Sequence, residues 1–183
     1  VKGTLKEGID KFLWREGDNV WAAFGVTVDK SAKVLLAEEF LLDTFALSEK
    51  QFKNNGNLPR VIRNDFEGTR SMHCHVGVKV PAATNRLFEM WFVWKKVKLA
   101  NGQTSYKVAF VPLTEHPGGG FKDLSKEGFV LTETRGVYFF NEIAPNVCRV
   151  TRVQTVDLRF TGLLQNAVMD KAIDYLATVS YTH

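Results

Sequence analysis

The clearest binding chemistry in this sequence is offered by a row of alternating side chains, Arg86, Phe88, Met90, Phe92 and Trp94. Residues two apart on a strand share a face, so one arginine stands at the end of an aromatic and aliphatic wall. Such a wall suits an apolar ligand with a polar or anionic head, because binding sites are mostly apolar with a few placed polar groups. Alternation does not separate a lined cavity from a filled core, and both interpretations stay open at this point.

Two histidines and one ion pair also lie at strand spacing. His73 and His75 share a face, with Cys74 opposite. No third ligand is spaced to join them, so we expect a hydrogen-bonded pair or a solvated ring and no bound metal. Glu133 and Arg135 predict an ion pair that orders the sheet.

One strand leaves the direction of its polar residues open. Arg152 and Gln154 share a face with Val150 and Val156, but the opposite face is nearly as mixed. Side-chain alternation therefore does not decide whether Arg152 and Gln154 point inward.

No set of residues typical of catalysis is found. There is no G-x-S-x-G motif, no Cys/His pair with an orienting group and no placed carboxylate pair. The run Gly118, Gly119 and Gly120 lies in a long irregular segment, Leu113–Glu127, and no helix follows it that could hold a phosphate. We interpret these glycines and Phe121 as a lid, and we expect a binding protein without a cofactor rather than an enzyme.

The composition limits the class of protein. The chain has 183 residues and 45% hydrophobic residues, which predicts one domain over residues 1–183. The net charge of +4 is spread along the chain, which argues against nucleic acid as a partner. Cys74 and Cys148 lie in strand-like runs, which favours reduced thiols and a cytoplasmic protein. No long apolar run or leader pattern is present, and Val1 in place of Met is compatible with further domains in a longer chain.

Most of the predicted elements are strands, separated by turn residues. The predicted strands are Val20–Val28, Leu58–Phe66, Thr69–Val80, Arg86–Leu99, Ser105–Pro112, Phe129–Ile143 and Val147–Phe160. A helical period covers Lys30–Thr44, with Asp29 or Ser31 as the N-cap. The pattern predicts an α+β protein with an antiparallel sheet of about six or seven strands.

A second helix, Thr161–Val179, ends the predicted elements. Its apolar arc includes Leu164, Val168, Ala172, Tyr175, Leu176 and Val179, and Gln165 lies close to that arc. A sheet that leads into a single long helix can bury it across its own face, which predicts a grip around a cavity.

Short motifs stand in a fixed order along the chain. They are Pro81 with Arg86-Leu87-Phe88 and Trp94-Lys95-Lys96, Tyr106–Pro112 ahead of Glu115-His116-Pro117, Thr134-Arg135-Gly136, and Val150–Asp157 with Gly162 before the last helix. In this order they resemble the motifs of START (StAR-related lipid transfer) domains in the helix-grip superfamily, over roughly Arg70–Val179.

The resemblance implies a curved antiparallel sheet wrapped around the C-terminal helix, with the ligand between them. The implied ligand is a lipid or other hydrophobic small molecule, bound for transfer or sensing, with transient membrane contact. The implied ligand-binding residues are His73, His75, Arg86, Phe88, Met90, Phe92, Trp94, Leu164, Gln165, Val168, Ala172 and Tyr175, with Gly118, Gly119, Gly120 and Phe121 as the lid.

Departures from the family pattern change the expected interior. Leu87 replaces an aspartate, Phe92 replaces a second arginine, and His73 is nearest to that arginine's acidic partner in sterol-binding members. We therefore expect an interior without the family's ion pair and greasier than the resemblance implies. Two alternatives remain: a cyclase or aromatase of the same superfamily, with His73, His75 and Arg86 as its candidates, or a sensing module of a larger protein.

Overall fold

In the computed structural model of this chain, residues 2–6, 9–17, 19–40, 53, 57–80, 83–118 and 128–159 are described. The strands in these ranges are β1 (Lys2–Lys6), β2 (Ile9–Glu16), β3 (Asn19–Val28), β4 (Asn57–Phe66), β5 (Ser71–Val78), β6 (Arg86–Lys98), β7 (Thr104–Pro112), β8 (Val130–Ala144) and β9 (Val147–Asp157). They form one sheet in the order β1-β2-β3-β9-β8-β7-β6-β5-β4, with antiparallel neighbours. The predicted α+β class is confirmed. The predicted helix Thr161–Val179 lies outside the described residues.

The seven predicted strands match β3 to β9 to within a few residues, whereas β1 and β2 were not predicted. In β2 the polarity of the pattern is inverted, since Lys11 is 7% exposed and Phe12 is 45% exposed. A buried lysine beside an exposed phenylalanine hides the alternation by which a strand is normally found.

Helix α1 (Ala32–Phe40) follows β3. Its N-cap is Ser31, one of the two predicted residues, whose Oγ accepts the Val34 N–H at 3.3 Å. The end of the predicted helix, residues 41–44, lies outside the described residues. No helix in the described part of the chain is long and apolar enough to cross a membrane.

The two faces of the sheet differ in what covers them. We call the side on which α1 packs the inner face, and the other side the outer face. The inner face and α1 share one buried cluster, which includes Phe24, Val26, Leu35, Leu36, Met72, Cys74, Met90, Phe92, Tyr106, Val108, Phe110, Tyr138, Phe140, Cys148 and Val150. Because directly opposed residues of antiparallel strands point to the same side, the strand register assigns the remaining side chains to one face or the other.

Strands β6 and β8, which flank β7, also pair directly with each other beyond the end of β7. Strand β7 ends at Pro112, and the 3₁₀ turn η1 (Leu113–Glu115) carries the chain away. The first residues of β6, Arg86–Phe88, therefore pair in parallel with Val130–Thr132 of β8. The hydroxyl of Thr132 donates to the Leu87 carbonyl at 3.0 Å and secures this contact.

Candidate functional site

The predicted row on β6 lies on the inner face. Its residues oppose Met72, Cys74 and Val76 of β5, which belong to the same cluster. Phe92 is 3% exposed and stacks on Phe110 with ring centres 5.1 Å apart. The centre of the row therefore fills a core, whereas Phe88 and Trp94 are only partly buried.

Arg86, the charged end of the row, is engaged with the backbone. Its Nε donates to the carbonyl of Leu158 at 2.9 Å, and a second guanidinium nitrogen donates to the carbonyl of Thr84. The side chain is 5% exposed. Arg86 thus joins the start of β6 to the segment that follows β9, and these two donors are not available to a ligand head.

Another arginine occupies the middle of the inner face. The guanidinium carbon of Arg152 lies 4.3 Å from the ring centre of Tyr138 and 5.8 Å from that of Phe110. These distances are typical of cation–π contact. Its Nε donates to Oε1 of Gln154 at 2.6 Å, and Gln154 is itself 3% exposed.

The strand register explains why Arg152 points inward. Arg152 opposes Phe24 of β3 on one side and Tyr138 of β8 on the other, and both belong to the inner-face cluster. Gly136 of β8 opposes both Phe110 and Gln154. A Cβ at Gly136 would lie 2.6 Å from Cζ of Phe110 and 2.8 Å from Cβ of Gln154, so only glycine lets these side chains approach across β8.

The direction of Arg152, which the sequence left open, is inward, so the inner face is not purely apolar. Arg152 is half-buried among aromatic rings, and among the described residues it makes no ion pair with a carboxylate. Its described hydrogen bond uses one of the five N–H donors of a guanidinium. The guanidinium of Arg152 is therefore a cation among aromatic rings, and its terminal N–H groups donate no described hydrogen bond.

The histidines require a correction. In the register of β5 and β6, His73 opposes Trp91 and His75 opposes Glu89, whereas Cys74 opposes Met90. The two histidines therefore lie on the outer face, on the opposite side of the sheet from the aromatic row. The implied site, in which both groups line one cavity, is not assembled.

His73 instead belongs to a cluster on the outer face with Glu67 and His116. Oε2 of Glu67 lies 3.1 Å from Nε2 of His116 and 3.7 Å from Nε2 of His73. The His116 ring stands edge-on to those of His73 and Trp91, with centres 4.9 and 4.7 Å away. The hydrogen bond from His116, partly opposed by desolvation and assisted by electrostatic attraction to His116 and His73, lowers the pKa of Glu67.

Three such residues could hold a metal ion, because their ligand atoms lie within 4.8 Å of one another. His75 is not one of the three, so this group is not an extension of the pair His73 and His75, and the expectation of no bound metal stays a prediction. The hydrogen bonding nevertheless favours a proton over a metal: the Gly118 N–H donates to Nδ1 of His116 at 3.0 Å, which places the ring proton on Nε2, facing Glu67. A metal bound at Nε2 would force the proton onto Nδ1, against the Gly118 N–H.

His75 forms a second, buried pair on the outer face. Its Nδ1 lies 3.3 Å from Oε1 of Glu89, and the two side chains are 9% and 8% exposed. The angles do not make this contact a hydrogen bond. The predicted pair Glu133–Arg135 is present at 3.3 Å, and Arg135 also binds Glu115 at 2.8 Å through Nε.

The predicted lid is described only at its first residues. His116 and Gly118 are held on the outer face, next to Glu67. Gly119, Gly120 and Phe121 lie outside the described residues, so the lid stays a prediction. The same holds for the residues of the terminal helix, which are Leu164, Gln165, Val168, Ala172 and Tyr175.

Comparison with solved structures identifies the fold. The STAR-related lipid transfer protein of Xanthomonas axonopodis (fragment 25–204) superposes with a TM-score of 0.75 at 11% identity, over 100% of this chain and 97% of that chain. Human StAR-related lipid transfer protein 5 superposes with a TM-score of 0.67 at 13% identity, over 98% of this chain and 83% of that chain. The lipid transfer and protein localization domain of human StarD13 superposes with a TM-score of 0.65 at 13% identity, over 100% of this chain and 89% of that chain.

The chain is thus an α+β protein of the helix-grip type. Within that type, its fold is that of the START domains, as the motifs implied. No family model matches the sequence, and no curated protein matches it. At these identities the likeness defines the fold alone, so function has to be argued from the residues.

Proposed function

We propose that the chain binds a hydrophobic small molecule, in the first place a lipid, on the inner face of its sheet. The observation that carries this proposal is a half-buried cation, Arg152, in the middle of an aromatic surface. If these rings only filled a core, an apolar residue would be favoured there, because a cation removed from water with a single neutral acceptor is costly. The fold shared with proteins named for lipid transfer supports the proposal.

We further propose that binding is not followed by chemistry. The side chains in contact with Arg152 are Phe110, Tyr138 and Gln154, and they include no histidine or carboxylate that could act as a general base at neutral pH. The thiol of Cys148 is an unsuitable nucleophile, since burial and, to a lesser extent, the charge of Glu142 raise its pKa to about 12.

The proposed context is a cytoplasmic carrier or ligand sensor that touches membranes transiently. Cys74 and Cys148 are both free and buried, which suits a reducing compartment. The carrier and sensor roles share the same binding site, so the first experiment addresses binding.

Native mass spectrometry of the purified protein, followed by lipid extraction, tests the proposal. We expect a mass adduct that yields a lipid on extraction, and saturable binding of a fluorescent fatty acid after lipid removal. A protein that carries no adduct and binds no fatty acid would overturn the proposal. The ligand should be recovered with unchanged mass after incubation, whereas a new product mass would contradict the non-catalytic part.

A further inference from the structure

We propose that Arg152 and Gln154 recognise the anionic head, a carboxylate or a phosphate, of the apolar ligand. This inference rests on the proposed function and adds the chemical class of the ligand. The bound molecule would lay its apolar chain along the aromatic inner face and direct its head towards the guanidinium.

Most N–H donors of Arg152 make no described hydrogen bond to the protein. A guanidinium has five N–H groups, and the described contacts use one of them, at Nε, for Gln154. The rings of Tyr138 and Phe110 attract the cation through their faces and accept no N–H in the plane of the group. In the described part of the chain, the four terminal N–H groups therefore have no protein acceptor and can bind another group.

The contact with Gln154 leaves one edge of the guanidinium for a ligand. The guanidinium carbon lies 4.3 Å from the centre of the Tyr138 ring, and Gln154 accepts the Nε–H at 2.6 Å, which occupies one edge of the group. The opposite edge presents two terminal nitrogens side by side, which is the arrangement that binds a carboxylate or a phosphate through two parallel hydrogen bonds. A neutral alcohol would use only one of these donors.

The surroundings of Arg152 also favour an anion. Arg152 opposes Phe24 of β3 and Tyr138 of β8, so its charge lies beside an apolar wall. A positive charge in such a place gives a potential that favours an anionic ligand over a neutral one.

Three probes with the same C18 chain test the inference: oleate, oleyl phosphate and oleyl alcohol. Affinities are measured by titration calorimetry for the wild type and for Arg152→Met, which removes the charge and keeps most of the length. Arg149→Met is the matched control, since Arg149 lies on the same strand but on the outer face, where it pairs with Asp10. Gln154→Glu is the second variant, because it neutralises Arg152 with a carboxylate of the same shape.

We expect the wild type and Arg149→Met to prefer at least one anionic probe to oleyl alcohol. We expect Arg152→Met to weaken the affinity for that anionic probe by about tenfold or more, as for the loss of a charged hydrogen bond. The affinity for oleyl alcohol should change by less than about threefold. Gln154→Glu should remove the same preference, which keeps the test decisive if Arg152→Met fails to fold. The preferred probe distinguishes a carboxylate from a phosphate head.

Two results would overturn the inference in distinguishable ways. If all three probes bind equally and neither inner-face variant changes this, Arg152 only stabilises the sheet, and the proposed binding function stands without head-group recognition. If no probe binds to the delipidated wild type, the proposed function itself fails.

Discussion

The ring of Phe110 crosses β8 at Gly136, and a Cβ added to this glycine would lie 2.6 Å from Cζ of Phe110. The same Cβ would come still closer to the carbonyl oxygen of Val153. Backbone and ring therefore exclude any side chain larger than hydrogen here, directly beside the residues that surround Arg152.

We expect Gly136→Ala to lower the free energy of unfolding by about 1–3 kcal/mol, as overpacking of a core does. Gly25→Ala is the matched control, because Gly25 lies inside β3, two strands from β8 in the same sheet, and the atoms nearest to a Cβ there belong to the flexible end of Arg149. Urea unfolding of both variants measures the difference. Equal costs for the two would show that the contact between Phe110 and Gly136 is not as close as described.

The link between Arg86 and the end of β9 predicts a loss of stability. Arg86→Met leaves the carbonyls of Leu158 and Thr84 without these donors, which we expect to cost about 1–3 kcal/mol. The control is Arg135→Met, which loses partly solvated ion pairs and should cost less than about 1 kcal/mol. Chemical unfolding compares the two, and a smaller loss for Arg86→Met would contradict the structural role.

The buried pair of His75 and Glu89 predicts strong coupling between two substitutions. Glu89→Leu alone leaves His75 buried beside an apolar group, and His75→Leu alone strands the carboxyl group of Glu89. The losses of stability of the two single variants should add up to more than the loss of the double variant. We expect a coupling energy of about 1–3 kcal/mol in a double-mutant cycle. Additive effects would mean that the 3.3 Å contact contributes nothing.

The cluster on the outer face predicts a perturbed carboxyl titration. We expect NMR titration to give a pKa for Glu67 below its ordinary value of 4.5, and His116→Phe to raise that pKa towards 4.5 because the largest cause is removed. A carboxyl with a lowered pKa stabilises the fold above its unfolded pKa, and that contribution is lost as the pH falls through the folded value. The stability difference between wild type and Glu67→Gln should therefore shrink on acidification below pH 4.5. An unchanged Glu67 titration in His116→Phe would contradict the hydrogen bond.

The thiol of Cys148 predicts chemical inertness in the folded state. With a pKa raised to about 12, only about one molecule in ten thousand is a thiolate at pH 8. We expect no labelling of Cys148 by iodoacetamide at that pH until the protein is unfolded in urea, when both cysteines should react. Rapid labelling of folded protein would show that the thiol is accessible.

Much of the fold could be predicted from sequence because β3 to β9 alternate regularly and are separated by turn residues. The first two strands could not, since Lys11 is buried and Phe12 is exposed. Burial of a lysine depends on what surrounds it in three dimensions, and a local pattern does not contain that information.

The candidate site was predicted less well, and the reason is register. Alternation states which residues of one strand share a face, but it does not state which face of the next strand they join. His73 and His75 were grouped with the aromatic row for this reason, and the direction of Arg152 stayed open. The pairing of Arg152 with Tyr138 decides the second question, and the pairing of His73 with Trp91 decides the first.

The contact between Glu67 and His116 could not be predicted at all. The two residues are 49 positions apart, and nothing in the spacing of either relates it to the other. Their approach depends on β7 ending at Pro112 and on the turn that follows it.

The pairing of β3 with β9 has a consequence for how the protein is made. Val20 accepts a hydrogen bond from the hydroxyl of Thr155, and these residues are 135 positions apart. Strands β1 to β3 connect to the other six strands of the described sheet only through β9. During synthesis, the edge of β3 therefore stays without its strand partner until residues 147–157 have emerged. Because an unpaired strand edge can pair with another chain, we expect the nascent protein to be most prone to aggregation in this interval.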